Sequence, residues 1–241
     1  MQIAIVLYPG MTALDVIGPY EVLRAMKGAE IRFVWHEVGP IVTDSGVLVL
    51  GATHSFADTP TPDIVLIGGS ATDTMTAAAD TRLLDWLRSV HRTTTWTLSV
   101  CSGSAILAAA GILDGRPATS HWAALPILRT FGAKPVGSQR IVQDGKIVTA
   151  AGVSAGIDLA LWLVGEIEGQ ARAEAIQLII EYDPQPPFDS GHLSKATPKT
   201  KALAAKVAAG MVTPSDVGGE AVATAKVAWD GALRKIGRLR S

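Results

Sequence analysis

Short apolar runs alternate with segments of helical periodicity along the first two thirds of the chain. Runs rich in Val and Ile, each closed by a turn signal, predict strands at Ile3–Tyr8, Arg32–Val38, Val47–Leu50, Ile64–Ile67 and Thr94–Val100. Residues 141–143 and 146–149 flank Asp144-Gly145 and predict a hairpin. Apolar residues at helical spacing predict helices near Pro19–Lys27, Thr81–Arg92, Ala105–Ala110, Gly156–Glu168 and Ala171–Tyr182. The alternation favours an α/β fold, with a mostly parallel sheet and helices on both of its faces.

The end of the chain has a different character. Residues 195–241 contain nine Lys and Arg against three acidic residues, which is a local charge of +6. Because Val222, Trp229, Leu233 and Ile236 are spaced by 7, 4 and 3 positions, they share one face of a helix. We therefore predict an α/β domain over residues 1–194 and a basic helical extension over residues 195–241, packed on the domain or on a dimer partner.

Composition excludes several classes of partner. Of the 241 residues, 48% are hydrophobic and 18% are charged, and 21 basic residues against 22 acidic ones leave a net charge of -1. Such a balance produces no general field for attracting nucleic acid or an anionic membrane. No apolar run approaches the ~18 residues of a membrane span, and Pro9-Gly10 ends the first run too early for a signal peptide. The single cysteine, Cys101, excludes an intramolecular disulfide, so we expect a cytoplasmic protein.

Cys101 is the first candidate for chemistry. It follows the predicted strand Thr94–Val100 and precedes a helix of small residues, so the thiol is expected at the carboxyl edge of the sheet, where open α/β folds bind ligands. The N-terminus of that helix would favour the thiolate over the thiol. A buried, inert cysteine is the alternative interpretation.

Two further segments are predicted at the same edge. Gly68-Gly69-Ser70 ends the strand Ile64–Ile67, and its backbone N–H groups could face charge that develops on a substrate at Cys101. From the two glycines alone, a tight strand-to-helix turn without any further role is the preferred interpretation. Asp15 stands among apolar neighbours just after the first strand, where enclosure would raise its pKa toward the range useful for proton transfer. Asp15 would alternatively cap a helix that starts at Pro19.

His121 lies downstream of Cys101, in Ser120-His121-Trp122. A Cys–His pair would activate the thiol, whereas packing at the start of a helix would explain this histidine equally well. The remaining histidines have no metal-ligand spacing with one another or with Cys101, so we predict no metal site; they are His36, His54, His91 and His192.

Five segments of the chain carry motifs near the predicted strand ends. They are residues 8–23 (YPGMTALDVIGPYEVL), Gly68-Gly69, residues 99–103 (SVCSG), residues 115–122 (GRPATSHW) and residues 152–158 (GVSAGID). As a set they resemble the DJ-1/PfpI superfamily, also called the ThiJ/PfpI or class I glutamine amidotransferase-like fold, over about Gln2 to Gly191. The resemblance implies a flavodoxin-like three-layer sandwich with a nucleophile elbow at Cys101.

Asp15 and the segment 182–189 (YDPQPPFD) look like the isonitrile hydratase branch of this superfamily. That branch adds water to an isocyanide to give an N-substituted formamide, uses neither metal nor organic cofactor, and is dimeric. The resemblance implies that Cys101 is the nucleophile, that Asp15 is the general acid/base and that the protein is a homodimer. The branch typically has threonine where this chain has Ser102, which keeps the hydroxyl but loses the methyl group that restricts its rotamer.

A mechanism follows from that resemblance. Attack by the Cys101 sulfur on the terminal carbon of the isocyanide would give a thioimidate, with Asp15 delivering the proton, and water activated by Asp15 would then release the formamide. We expect Ser102 to orient Asp15 or the water. The residues expected to line the substrate site are Gly69, Ser70, His121, Gly152 and Val153.

Three rival functions remain open at this point. A glyoxalase-like hydrolase or peptidase on the same scaffold would pair Cys101 with His121 and turn Asp15 away. The motifs around Asp15 and Gly156 also look like the sensor domains of AraC-type transcription factors, although the residues after Ser194 are too few for the two helix-turn-helix units of those proteins. A redox sensor would oxidise Cys101 reversibly.

Overall fold

The structure is a computed structural model that describes residues 1–211 and 214–238. Its strands are β1 (Gln2–Val6), β2 (Glu30–Trp35), β3 (Gly39–Val42), β4 (Val49–Ala52), β5 (His54–Ser55), β6 (Ile64–Ile67), β7 (Trp96–Ser99), β8 (Pro117–Ala118), β9 (Lys134–Pro135), β10 (Ile141–Asp144) and β11 (Ile147–Ala150). Its helices are α1 (Ala13–Leu23), α2 (Thr74–Ala78), α3 (Thr81–Thr93), α4 (Gly103–Ala109), α5 (Leu125–Thr130), α6 (Ala155–Glu168), α7 (Gln170–Ile179), α8 (Pro198–Gly210) and α9 (Pro214–Arg238).

A seven-stranded sheet in the order β10-β11-β7-β6-β1-β2-β5 forms the centre of the molecule. β10 runs antiparallel to β11, and every other neighbouring pair in this sheet is parallel. One helical layer contains α1, α6 and α7, and another contains α2, α3 and α4. The fully buried, uninterrupted apolar run of β6 suits a strand covered on both faces. The predicted α/β sandwich is confirmed, and its parallel strands bring their carboxyl ends to one edge.

Helix α1 begins at Ala13, six residues before the predicted start at Pro19. Pro19 lies inside the helix, where it cannot donate a hydrogen bond to the carbonyl of Asp15. The structure tolerates that loss because Pro19 is buried in close contact with Gly156 of α6. Asp15 consequently lies in the first turn of α1, so its interpretation as the cap of a helix starting at Pro19 is wrong.

Other element bounds follow the predictions more closely. β6 has the predicted bounds, and β10 and β11 form the predicted hairpin, with Gly145 at a φ of 60° in its turn. The predicted strand Arg32–Val38 ends earlier, at Trp35. The chain then forms a separate antiparallel ribbon of β3 and β4 beside the main sheet.

The C-terminal extension forms helices α8 and α9. α8 has no buried side chain, whereas α9 packs against α2 with Ala223 and Val227 only 7% and 2% exposed. Two residues of the predicted docking face, Val222 and Trp229, are 73% and 67% exposed and do not pack on the domain, so their packing on a dimer partner stays a prediction. The other two predicted docking residues, Leu233 and Ile236, have side chains outside the described part of the chain. Among the described residues, no helix has the length and apolar character needed to cross a membrane.

Candidate active site

Cys101 lies in the sharp turn between β7 and α4, as predicted. Its backbone φ is 57°, in the left-handed region that residues other than glycine rarely adopt. Hydrogen bonds hold both the backbone N–H and the backbone carbonyl of Cys101. The Cys101 N–H donates to the Ala151 carbonyl at 2.8 Å, and its carbonyl accepts from the Ser120 hydroxyl at 2.9 Å. Such a strained residue persists only where its surroundings determine it, and these residues cluster at functional sites.

Two glycines allow the end of β6 to contact this turn. A Cβ atom on Gly69 would lie 2.2 Å from Ser102 Oγ and 2.5 Å from Ser102 N. A Cβ atom on Gly103 would lie 2.4 Å from the Ile67 carbonyl oxygen. Any side chain at these positions would push the turn away from β6. The glycines therefore bring the Gly68-Gly69-Ser70 segment against the Cys101 turn, at the edge where the sequence placed both.

Asp15 is completely buried beside the Cys101 turn. Its Oδ2 accepts a hydrogen bond from the Gly69 N–H at 2.6 Å, and its Oδ1 has no hydrogen-bond partner among the residues that the structure describes. Burial raises the pKa of the Asp15 carboxyl to about 7, against the opposing effects of the Gly69 hydrogen bond and the nearby Cys101 thiol. The direction agrees with the rise predicted from its apolar neighbours. Asp15 and Cys101 are therefore near enough for each to shift the pKa of the other, and the Gly69 N–H donates to the Asp15 carboxylate.

The Cys101 side chain is held in its protonated form. The residue is 6% exposed, and burial, together with the negative charge of Asp15, raises the pKa of its thiol to about 12. Backbone N–H groups of Val153 and Ser102 oppose this rise only in part. The prediction that the start of α4 would favour the thiolate is wrong for the free protein, because burial outweighs the helix. Near neutral pH the pair is a thiol beside a partly ionised carboxyl group.

A cavity of about 340 Å³ opens over the turn. Its wall includes Ser70, Cys101, Ser102, His121 and Val153, all of which were predicted at the site. Asp15 and Gly69 do not line this cavity. A second cavity of about 470 Å³ adjoins it, with His121 and Val153 lining both and Gly152 lining the second alone.

The chain is similar to known proteins along most of its length. Residues 1–166 match the DJ-1/PfpI family. The chain belongs to the DJ-1/PfpI family. It is 41% identical over 191 residues to the isonitrile hydratase of Pseudomonas putida, an alignment that covers 79% of this chain and 82% of that protein. It is also 29% identical over 175 residues to the transcriptional regulator CdhR of Pseudomonas aeruginosa, covering 69% of this chain and 51% of the regulator.

Solved structures in the DJ-1/PfpI family share this architecture. The crystal structure of a ThiJ/PfpI family protein from Pseudomonas syringae matches with a TM-score of 0.83 and 36% identity, over 92% of this chain and 90% of that one. Drosophila melanogaster DJ-1beta matches with a TM-score of 0.67 and 21% identity, over 75% of this chain and 97% of that one, which shows a shared fold. The family resemblance of the sequence motifs is confirmed.

Ser102 belongs to a hydroxyl network in this DJ-1/PfpI site. Its Oγ lies 2.7 Å from Thr74 Oγ1 and accepts a hydrogen bond from the Ser70 N–H at 3.1 Å. The Ser70 N–H also donates to Thr74 Oγ1 at 3.0 Å. The Ser102 hydroxyl therefore contacts Ser70 and Thr74, and a hydrogen bond from the Ser102 side chain also acts to lower the pKa of the Cys101 thiol. No hydrogen bond joins Ser102 to Asp15 among the described residues, so of the two roles expected for Ser102 only the orientation of a water molecule stays a prediction.

His121 lies in the wall between the two cavities. Its Nδ1 accepts a hydrogen bond from the Ala123 N–H at 3.4 Å, and within the described chain no hydrogen bond joins His121 to Cys101. Burial lowers the pKa of the imidazole, which favours its neutral form. Gly152 makes room for the ring, since a Cβ atom there would lie 2.6 Å from His121 Cδ2. The Cys101–His121 hydrogen bond that would favour the rival hydrolase is not formed between these two described residues.

The structure adds two residues that sequence reasoning missed. Thr74, at the start of α2, holds Ser102 and Ser70, and Glu220 of α9 lines the cavity over Cys101. Neither stands near Cys101 in the sequence, and Glu220 lies in the extension that was expected only to dock. In the part of the chain that the structure describes, no three His, Cys, Asp or Glu residues are grouped as metal ligands.

Proposed function

We propose that this protein is an isonitrile hydratase, which adds water to an isocyanide through a thioimidate on Cys101. The observation that carries the proposal is the buried pair of Cys101 and Asp15, in which one carboxylate oxygen is fixed by the Gly69 N–H and the other has no partner. The similarity to the Pseudomonas putida isonitrile hydratase supports the substrate class. An isocyanide is uncharged and electrophilic at its terminal carbon, which suits a cavity with a buried nucleophile.

The first step joins sulfur to carbon. The Asp15 carboxylate takes the proton of the Cys101 thiol, and the sulfur attacks the terminal carbon of the isocyanide. Negative charge develops on that carbon, and protonated Asp15 returns the proton to it. The product is a thioimidate, in which the carbon carries hydrogen, sulfur and a double bond to nitrogen. A carboxyl group whose pKa is about 7 suits both halves of this transfer, because it accepts and returns a proton at similar cost.

The second step consumes water. The Asp15 carboxylate, ionised again, takes a proton from a water molecule as the oxygen attacks the thioimidate carbon. Asp15 passes that proton to the nitrogen. The carbon–sulfur bond then breaks as the hydroxyl on the carbon becomes the formamide carbonyl, and the proton that this hydroxyl loses returns to the Cys101 sulfur through Asp15. The N-substituted formamide then leaves. Ser102 and Ser70, whose polar groups line the cavity, are the residues we assign to holding the water and the polar end of the intermediate.

Replacing Ser102 by threonine is expected to keep kcat/KM within about threefold of the wild-type value. Threonine retains the hydroxyl that meets Thr74 and Ser70. Initial rates with one aryl isocyanide measure the effect, and Ser102→Ala, which deletes the hydroxyl, is the matched comparison. We expect the alanine variant to lose about tenfold or more. A threonine variant as impaired as the alanine variant would show that the hydroxyl is not what matters.

The direct test of the proposed function is turnover of a simple aryl isocyanide by the purified protein, with the formamide measured by chromatography. We expect formamide in proportion to enzyme, without added metal or cofactor. A protein that leaves the isocyanide unchanged but converts methylglyoxal to lactate would overturn the proposal. That result would favour the glyoxalase-like rival despite the separation of His121 from Cys101.

The assembly and the location stay predictions. The homodimer implied by the family resemblance is supported by large apolar side chains that lie exposed on and after α7: Leu178, Ile179 and Phe188. A cytoplasmic location is supported by the single cysteine. A small-molecule partner is supported by the cavity over Cys101.

A further inference from the structure

Glu220 brings the C-terminal extension to the cavity that contains Cys101. Its carboxylate accepts hydrogen bonds from the Met75 N–H at 2.9 and 3.0 Å and from the Thr76 N–H at 2.9 Å. At the other end of α2, Lys226 of the same helix donates to the Ala79 carbonyl at 2.8 Å. Helix α9 thus places an acidic side chain at the amino end of α2 and a basic side chain at the carboxyl end of α2. Both charges have the sign that complements the dipole of α2.

These contacts fix the position of the Glu220 charge. The residue is half-buried, and two backbone donors hold its carboxylate, so the side chain cannot swing into solvent without leaving those donors unpaired. Burial raises the pKa of Glu220, against the opposing effect of the hydrogen bonds from Thr76 and Met75. At a pH above its raised pKa, Glu220 is ionised, and its negative charge lies in a fixed position at the cavity wall.

Among the described residues that line the cavity, none is lysine or arginine, so no described cation balances that charge. The histidine among them is His121, whose pKa is lowered by burial. Asp15 lies behind the wall, and Asp73 lies close enough to Glu220 to raise its pKa further. A second negative charge brought to Cys101 on a bound molecule would meet repulsion in a partly desolvated site.

We propose that Glu220 is a specificity-determining residue of this cavity, which selects against anionic molecules and favours neutral or cationic isocyanides. The identity of the reacting group rests on the proposed function. The selection by charge rests on the position of Glu220 at the cavity and does not depend on the proposed function. The two claims therefore need separate readouts.

The first readout is alkylation of Cys101, the single cysteine of the chain, by iodoacetamide and by iodoacetate. These reagents have nearly the same shape and differ in charge. The measured quantity is the rate with iodoacetamide divided by the rate with iodoacetate. At about pH 9, where carboxyl groups are ionised, this ratio for wild-type protein is expected to exceed the ratio for free cysteine by about fivefold or more. Glu220→Gln, which removes the charge and keeps an oxygen for Met75 and Thr76, is expected to reduce the ratio toward that of free cysteine.

Two variants control this comparison. Glu174→Gln makes the same chemical change at an exposed residue of α7 and is expected to keep the wild-type ratio. Glu220→Asp keeps the charge and is expected to keep most of the discrimination. A wild-type ratio equal to that of free cysteine would overturn the proposal even if Glu220→Gln failed to fold. An unchanged ratio in folded Glu220→Gln would overturn it as well.

The second readout is hydration of ethyl isocyanoacetate, which is neutral, and of isocyanoacetate, which is an anion. We expect wild-type protein to prefer the ester and Glu220→Gln to raise kcat/KM for the anion relative to the ester by about fivefold or more. Charge-selective alkylation without turnover of either isocyanide would refute the hydratase and leave the role of Glu220 standing. Turnover of both isocyanides without any charge preference would support the hydratase and refute the role of Glu220.

Discussion

Replacing Cys101 by alanine is expected to lower kcat/KM for an aryl isocyanide by at least about 10³-fold, to the background rate. The chain contains no second cysteine that could attack in its place. Cys101→Ser is expected to be similarly inactive, because a serine hydroxyl is a much weaker nucleophile and faces the same burial. Initial rates of formamide production, measured for the three proteins side by side, give the result.

The intermediate offers a second measurement of the same prediction. Acid quenching during turnover is expected to trap wild-type protein whose intact mass has increased by one isocyanide, because thioimidate formation is an addition without a leaving group. The alanine variant should show no adduct, while circular dichroism shows that it remains folded. Formamide production retained by folded Cys101→Ala would refute nucleophilic catalysis, whichever isocyanide is used.

Asp15→Asn is expected to lower kcat/KM by about 10³-fold and to change its dependence on pH. In the wild-type protein the carboxylate must be ionised to accept the thiol proton. Because burial raises its pKa to about 7, kcat/KM is expected to fall on the acid side of that value. Asparagine cannot accept and return the proton, so the residual activity of the variant should lack this step. A wild-type profile that is flat around this pH would show that another group transfers the proton.

The same substitution is expected to stabilise the fold above neutral pH. The pKa of Asp15 is raised from 3.8 to about 7 in the folded protein, so the unfolded chain ionises first. The contribution of Asp15 to the free energy of unfolding is complete below the lower value and is lost as pH rises through the higher one. At about pH 8, Asp15→Asn should therefore be more stable by about 2 to 4 kcal/mol. Urea unfolding at acid and alkaline pH measures this difference.

The stability of Asp15→Asn also shows whether its loss of activity comes from lost chemistry or from a damaged fold. A variant that is inactive yet more stable than wild type has lost chemistry and has kept its fold, as expected where function requires an unfavourably buried charge. A destabilised Asp15→Asn would instead mean that the carboxylate contributes to stability through its hydrogen bond with the Gly69 N–H. In that case the loss of activity would not identify a proton-transfer group.

Local patterns predicted those parts of the fold that neighbouring residues decide. The uninterrupted apolar run Ile64–Ile67 marks a strand buried on both faces, and that strand occurs where the sequence indicated. Asp144-Gly145 marks a hairpin, which also occurs, although Asp144 pairs with Ile147 and the two turn residues are Gly145 and Lys146. The start of α1 was misplaced because Pro19 usually begins a helix. Here the packing of Pro19 against Gly156 outweighs that local preference. A contact between residues so far apart in the chain leaves no local sequence pattern.

The extension shows the same limit at longer range. Helical spacing correctly groups residues on a face, but it cannot say which face meets a partner. Val222 and Trp229 are larger and more apolar than Ala223, yet Ala223 and Val227 are buried. The buried face packs against α2, and the same packing brings Glu220 to the cavity over Cys101.

The sequence alone determined that this chain forms an α/β sandwich with a cysteine in a strand-to-helix turn, because those features depend on periodicity and on small residues near one another. It also placed Asp15 at the same edge, since parallel strands end together. The tertiary structure decided the protonation of that pair, because the pKa of each group depends on surroundings from several distant segments. Burial keeps the thiol protonated and brings the carboxyl pKa to about 7, against the thiolate predicted from the helix alone.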